Sequence, residues 1–502
     1  MTGGCATLAA VTDVEPSPLR PGDGPAPAFT AEELSRITGG RLVSFSNRPV
    51  RGAAVDSRLV LPGQLFVALP GERTDGHGFL EEAVEQGASA LLVTRPPSDP
   101  QALGDVTIVR VADGVAALQA LAAAGRRRFD PLVVGVTGSI AKTSSKEAAA
   151  AVLGGRYRTL RSPGNQNNEI GLPLTVLSLG PDHQAAVLEM GMYVGGEIRE
   201  LARIARPQIG IVTAVEPVHL SRIGSVEAIE EAKGELVEAL PADGRAILNA
   251  DDARVRRMAD RTAARTLTYG FSADADVAAE DVVSRGVDGM QFTIRSGSHR
   301  VPVTIPTLGR LAVHNALAGA ATGIAAGMDL ATVARALAGG WSAPHRGELH
   351  HAGGVTLVDD SYNASPASVR AALELLAGLP GRRVAVLGTM LELGEGHEPG
   401  HRDVGAAAAG VVELLVVVGP ETRGIAAGAR EAGLADARIL EAHDREAALD
   451  LLRPRLRDGD VVLVKASRGI ALDRLVDDLV RELGGAEPAS DRHVGTARVG
   501  LR

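Results

Sequence analysis

Short, nearly continuous apolar runs recur along this chain. They alternate with segments in which apolar residues return every third or fourth position. The first pattern predicts strands buried on both faces, the second amphipathic helices, and their alternation predicts α/β architecture built on parallel sheets. Three blocks follow one another. In residues 29–128, AAVDSR, PGQLFVALPG and ASALLVTRP read as strands and FLEEAVEQG as a helix. In residues 129–345, PLVVGVTG, AAVLEMG and IGIVTAV are buried strands. In residues 346–483, VTLVDD, RRVAVLG, VELLVVVG and DVVLVKAS alternate with helices such as PASVRAALELLAGL and DREAALDLL, the pattern of a doubly wound, Rossmann-like sheet. Residues 1–28 and 484–502 carry Pro, Gly and Asp without periodicity and are expected to be flexible tails.

Composition narrows the function. Aromatic residues make up only 2% of the chain, so Ala, Val, Leu and Ile must build its cores. A net charge of -9 argues against a general nucleic-acid binder. A single cysteine, Cys5, leaves no internal disulfide and no multi-cysteine metal site. With no signal peptide and no bilayer-length apolar stretch, a cytoplasmic protein without membrane insertion is expected.

The strongest chemical signal is Gly135-Val-Thr-Gly138-Ser139-Ile-Ala141-Lys142-Thr143, between a strand and a helix-prone segment. Backbone N–H groups at such a helix start point at phosphates; the lysine neutralises them and the threonine hydroxyl suits Mg²⁺. The same stretch also fits an ordinary strand-turn-helix, because Ala141 stands where a phosphate loop normally has Gly. In SVEAIEEAKGELVEAL, Val226, Ile229, Leu236, Val237 and Leu240 form an apolar stripe that also contains Lys233. A lysine there either snorkels to solvent or is held among charges for a chemical purpose. Glu189 and His219 follow strands, and strand carboxyl ends are where α/β sheets gather ligands. They are expected beside Thr143, as a set suited to divalent cations bridging phosphates.

These motifs resemble the Mur ligase family over about residues 29–483. GVTGSIAKTSSKE is similar to its ATP-binding signature, and SPGNQNNEIGLPLTVL to the asparagine-rich segment of the member that adds D-alanyl-D-alanine. LEMGMYVGGEI, AVEPVHL, EEAKGE, AILNADD, VDDSYNASPASV, LGTMLELG and LVKASRG follow in family order, and VDSR, PGQLFVALPG and DGHGF resemble the UDP-substrate domain. The resemblance implies an ATP-dependent ligase joining D-Ala-D-Ala to UDP-MurNAc-tripeptide through an acyl phosphate, in peptidoglycan precursor synthesis. It implies a UDP-substrate domain, a central ATP-binding domain and a C-terminal ligase domain, acting as a monomer. Lys142, with Gly138, Ser139 and Ala141, would hold the ATP phosphates. Thr143 and Glu189 would bind one Mg²⁺, and His219 with a CO₂-derived carbamate on Lys233 would serve a second. Asn315 would contact adenine, Arg346 the γ-phosphate and Asp360 the ribose. Asn167 and Asn168 would hold the UDP-linked substrate, with Ser57, Arg58, Asp75 and His77 near its uridine-diphosphate end. Asn363, Lys465, Ser467 and Arg468 would lie by the incoming amine.

Three departures stand out. Ala141 replaces Gly, Leu311-Ala312 stands where a His-Asn pair precedes Asn315, and Thr389 replaces an Asp. The departures would suit a non-catalytic nucleotide-binding homologue. A diaminopimelate- or lysine-adding ligase would carry an Asp-Asn-Pro-Arg motif, which this sequence lacks.

Overall fold

The computed structural model describes residues 28–71, 74–217 and 223–484. Three larger sheets organise the chain, in agreement with the α/β expectation. The first has the order Arg41–Ser44, Thr107–Arg110, Ala90–Val93, Leu65–Val67, Ala53–Ala54, all parallel except the first pair. The central sheet has nine strands. Six parallel ones run from Thr159–Arg161 through Ala185–Glu189, Leu132–Thr137, Ile209–Val212 and Arg245–Asn249 to Arg265–Gly270, and Val277–Ser284 continues the parallel order. Met290–Ser296 and His299–Ile305 then extend it as antiparallel strands that the hydrophobic pattern did not reveal. The third sheet is parallel from Val355–Asp359 through Asp460–Lys465, Arg382–Gly388 and Leu414–Val418 to Ile439–Ala442, with Glu348–Ala352 antiparallel at its edge.

Helices cover both faces of the central sheet, which explains why LVVGVT and AAVLE are apolar nearly throughout: every residue of Ala185–Glu189 is buried. On one face the helices Lys142–Gly154 and Gly309–Ala325 cross closely. A Cβ at Gly319 would sit 3.0 Å from the Ala148 carbonyl, and one at Gly323 would sit 2.6 Å from Val152. On the other face the core runs without a break from Leu118 and Leu121 of the helix Gly114–Arg126 into Ile170, Leu172 and Val176. The first and central units therefore share one apolar core.

Candidate active site

The phosphate loop begins where Leu132–Thr137 ends. Gly138 has φ +150°, and a Cβ there would lie 1.8 Å from Thr213 Oγ1, so only glycine fits. Ala141 adopts the left-handed conformation, φ 63° and ψ 1°, as the residue just before the helix Lys142–Gly154. The turn demands a positive φ, and a non-glycine residue meets that demand at a cost of about 1–2 kcal/mol. Ser139 pins the loop to the next strand's exit: its hydroxyl donates to Glu216 O at 3.0 Å, and Glu216 N–H donates to it at 2.9 Å. Lys142 Nζ folds over the loop, donating to Gly138 O at 2.6 Å and Ser139 O at 3.2 Å. Burial pulls its pKa down to about 8, with Glu189 resisting and Arg346 reinforcing the shift.

Glu189 closes its strand at the same sheet edge. One carboxylate oxygen accepts from Thr143 Oγ1 at 2.8 Å, the other from Asn167 Nδ2 at 2.8 Å. Burial alone would raise its pKa, but Lys146, Lys142, Arg346 and the Asn167 amide outweigh it and hold it below the usual range. It stays an anion, and with the Thr143 hydroxyl it offers the hard oxygen donors that fit Mg²⁺. Lys146 was missed in the sequence. It is fully buried, donates to Ser162 O at 2.7 Å and pairs with Glu147 at 2.8 Å. Its one signal was its position a helical turn after Lys142. Asn168 Oδ1 accepts from the N–H groups of Ile170 and Gly171, shaping the turn into the helix Gly171–Leu177.

Lys233 does not snorkel. It is 2% exposed on the helix Val226–Glu238 and makes no hydrogen bond or ion pair among the described residues. Burial, reinforced by Lys142, drives its pKa well below the normal lysine value. Both causes disfavour the charged ammonium beside the phosphate loop. His219 lies outside the described residues.

The third unit brings Arg346 and Asp360 to this edge. The Arg346 guanidinium lies 4.1 Å above the Tyr362 ring, and Arg468 shares that ring at 5.4 Å. Lys465 Nζ, itself buried, pairs with Asp360 Oδ2 at 2.6 Å and donates to Asn363 O at 2.9 Å. Ser467 Oγ accepts from Leu391 N–H, Arg468 pairs with Asp473, and the Asn363 side chain accepts from Ala364 N–H. Thr389 Oγ1 is buried without a partner.

A cavity of about 640 Å³ opens beside Ile140 and Ala141 of the loop, walled by Phe271, Leu311, His314 and Asn249. Arg310 stacks on Phe271 at 4.1 Å, and His314 Nε2 hydrogen-bonds Asn249 Oδ1 at 3.0 Å. Asn315, expected to contact adenine, does not line this cavity. Its Oδ1 accepts from Ser145 Oγ at 3.0 Å between the two crossing helices, and His314 stands in the cavity wall instead. A step of one residue turns a helix by about 100°.

In the first unit, Ser57 Oγ donates to Glu82 at 2.6 Å, and Arg58 is exposed and paired with Asp56. Asp75 accepts from the His77 backbone N–H at 2.9 Å and from the His77 ring at 2.7 Å, and pairs with Arg95; the backbone bond foremost, these contacts hold its pKa down at about 2. Ser57 and His77 flank the same helix, Leu80–Glu85, and the strand Ala53–Ala54 packs on Gly171–Leu177, just beyond Asn167 and Asn168. Among the described residues, none of these four makes a hydrogen bond or ion pair with the phosphate loop.

Residues 136–323 match the Mur ligase middle domain, 345–468 the Mur ligase glutamate ligase domain and 49–126 the Mur ligase family catalytic domain. A UDP-N-acetylmuramoyl-tripeptide–D-alanyl-D-alanine ligase of Bacillus subtilis is 36% identical, over 90% of this chain and 98% of that protein. A crystal structure of MurF from Acinetobacter baumannii superposes with a TM-score of 0.81 at 28% identity, covering 91% of this chain and 100% of that one. MurF ligase of Thermotoga maritima, solved with ADP, gives 0.75 at 30% identity over 86% and 98%. The chain belongs to the Mur ligase family.

Proposed function

We propose that this chain is an ATP-dependent, ADP-forming ligase that joins D-alanyl-D-alanine to UDP-N-acetylmuramoyl-tripeptide. The observation that carries the reading is Glu189, gripped by the phosphate-loop Thr143 on one side and the asparagine-segment Asn167 on the other. One anion thereby ties the nucleotide side to the acyl-substrate side. ATP phosphorylates the peptide carboxylate, and the dipeptide amine displaces phosphate. The first step brings two anions together, so charge neutralisation dominates its barrier. Lys142 supplies a cation from the loop, and Arg346 a second from the third unit. Thr143 and Glu189 would hold Mg²⁺, which supplies further neutralisation of the phosphates. Burial favours the neutral amine of Lys233, the form that takes up CO₂; as a carbamate it would add the anion that a second cation with His219 requires. The amine's attack is a positioning task, assigned to Asn363, Lys465, Ser467 and Arg468. The cavity beside Ile140 takes the base, with Asp360 towards the ribose. Ser57, Arg58, Asp75, His77 and Asn168 serve the UDP-linked substrate.

No helix among the described residues is long and apolar enough to cross a membrane. A cytoplasmic monomer, where ATP and a soluble UDP-linked precursor meet, completes the reading. Its test is phosphate release with ATP and UDP-MurNAc-tripeptide. D-Ala-D-Ala must accelerate release strongly and single amino acids must not; equal rates with and without dipeptide would refute it.

A further inference from the structure

The join between the central and third units carries a cluster that the ligase chemistry does not use. His345, with φ 58°, precedes the strand Glu348–Ala352, which pairs antiparallel with Val355–Asp359. In that register Glu348 sits directly opposite Asp359. Like charges facing each other across a ladder destabilise it unless a cation lies between them. Glu348 and His350 share one face of their strand, since side chains alternate with period two. His345 Nδ1, a Glu348 oxygen and an Asp359 oxygen all lie within 4.8 Å of one another. His345 Nδ1 is 2.7 Å from Asp359 Oδ2. His350 Nε2 lies 4.0 Å from the same oxygen, sealed from solvent and without a hydrogen-bond partner.

We propose that His345, Glu348, His350 and Asp359 form a binding site for one divalent transition-metal ion of the zinc type, clipping the inter-unit join to the third sheet. Three facts converge on it. The cross-strand carboxylates attract positive charge: the Asp359 hydrogen bond favours a protonated His345, and a divalent ion displacing that proton would meet two carboxylates and two neutral imidazoles, an electrically neutral site. The orphaned His350 nitrogen is a lone pair aimed at the cluster, with water excluded. The distances also fit: ligands at about 2.0–2.1 Å around a tetrahedral ion stand roughly 3.3 Å apart. The observed 2.7 and 4.0 Å bracket that separation, and the 4.8 Å bound on Glu348 leaves its oxygen within roughly 1.5 Å of it. Half the donors are imidazole nitrogens, which select zinc, cobalt or nickel over magnesium. Asp360, the next residue, is held by Lys465 instead, so the site is separate from the nucleotide's.

The test uses the full chain, stripped of metal and titrated with Zn²⁺ against a chromophoric chelator, with Co²⁺ as a spectroscopic probe. The expected result is one Zn²⁺ per chain at this site, a tetrahedral Co²⁺ visible spectrum, and a rise in Tm on loading. His350→Asn and Glu348→Gln, each checked for a cooperative melt without metal, should each weaken Zn²⁺ by at least about tenfold and abolish the Tm rise. Absence of stoichiometric binding, an octahedral Co²⁺ spectrum, or Zn²⁺ affinity unchanged in both variants would overturn the proposal. The last outcome would place the ion elsewhere, as at Glu189. The ligase assay does not enter, so a failed ligase reading and a failed metal site remain distinguishable.

Discussion

Replacing Lys233 with methionine should make the protein more stable and inactive at once. The lysine is 2% exposed, has no hydrogen bond among the described residues, and faces the positive Lys142. An unpaired buried polar group costs about 1–3 kcal/mol in mutational series. Methionine keeps an unbranched side chain, one atom shorter, and removes that group. A gain of about 2 kcal/mol corresponds to ~4–8 °C in Tm for a unit of 150–250 residues. The comparison needs CO₂-depleted, metal-free buffer, so that no carbamate stabilises the parent. The pH dependence follows from the lowered lysine pKa. Below the folded value the parent carries the full penalty of a buried charge. The penalty shrinks as pH rises from there and vanishes above the unfolded value of 10.5. The stability gap between Lys233→Met and the parent must therefore be widest at low pH and narrow towards pH 10. Meanwhile dipeptide-dependent phosphate release should fall by orders of magnitude, and in Lys233→Ala, acetate or bicarbonate should restore part of it. A methionine variant that is less stable at every pH, or that turns over normally, would refute the reasoning.

Other outcomes are equally concrete. Ala141→Gly should relieve about 1–2 kcal/mol of left-handed strain, offset by the ~0.4–1 kcal/mol that a freer unfolded chain costs; urea melts should show a small gain, and nucleotide titration tighter ATP. Asn167→Asp sets a second carboxylate against Glu189, which raises the pKa of the pair, so turnover should drop at least about tenfold, with the acid limb of the pH–rate profile moved upward. Gly319→Val forces side-chain atoms onto the Ala148 carbonyl and should cost about 1–3 kcal/mol by thermal melt while weakening ATP binding.

Much of the site was legible because its logic is local. A phosphate loop needs a strand, a glycine turn and a helix start in sequence order, and Gly138, Lys142 and Thr143 supply them. Glu189 followed from the rule that parallel strands deliver ligands at their carboxyl ends. Lys233 stood out as a charge on an apolar stripe, although only the fold decides between snorkelling and burial. What failed depended on rotation or on distant partners. Asn315 and His314 are neighbours in the stretch Ala312–Gly323, buried all round on their helix, so no apolar stripe shows which one faces the cavity. Lys146 hides in an alanine-rich helix, and its importance lies in the charge it lends to a strand 43 positions later. Met290–Ser296 and His299–Ile305 bury one face only, so they alternate apolar with polar residues and lack the continuous apolar runs that marked the other strands. The shared core around Leu118 and Ile170 joins segments that the linear pattern assigns to separate blocks.

The tight crossing at Gly319 and Gly323 has a mechanical meaning. It presses the helix bearing Lys142 against the helix bearing His314, and the Ser145–Asn315 bond locks their sliding. The phosphate loop and the cavity beside it are thus two jaws cut from one block. Whatever flexing catalysis requires has to be borne by the third sheet swinging in with Arg346, not by the nucleotide cradle adjusting itself.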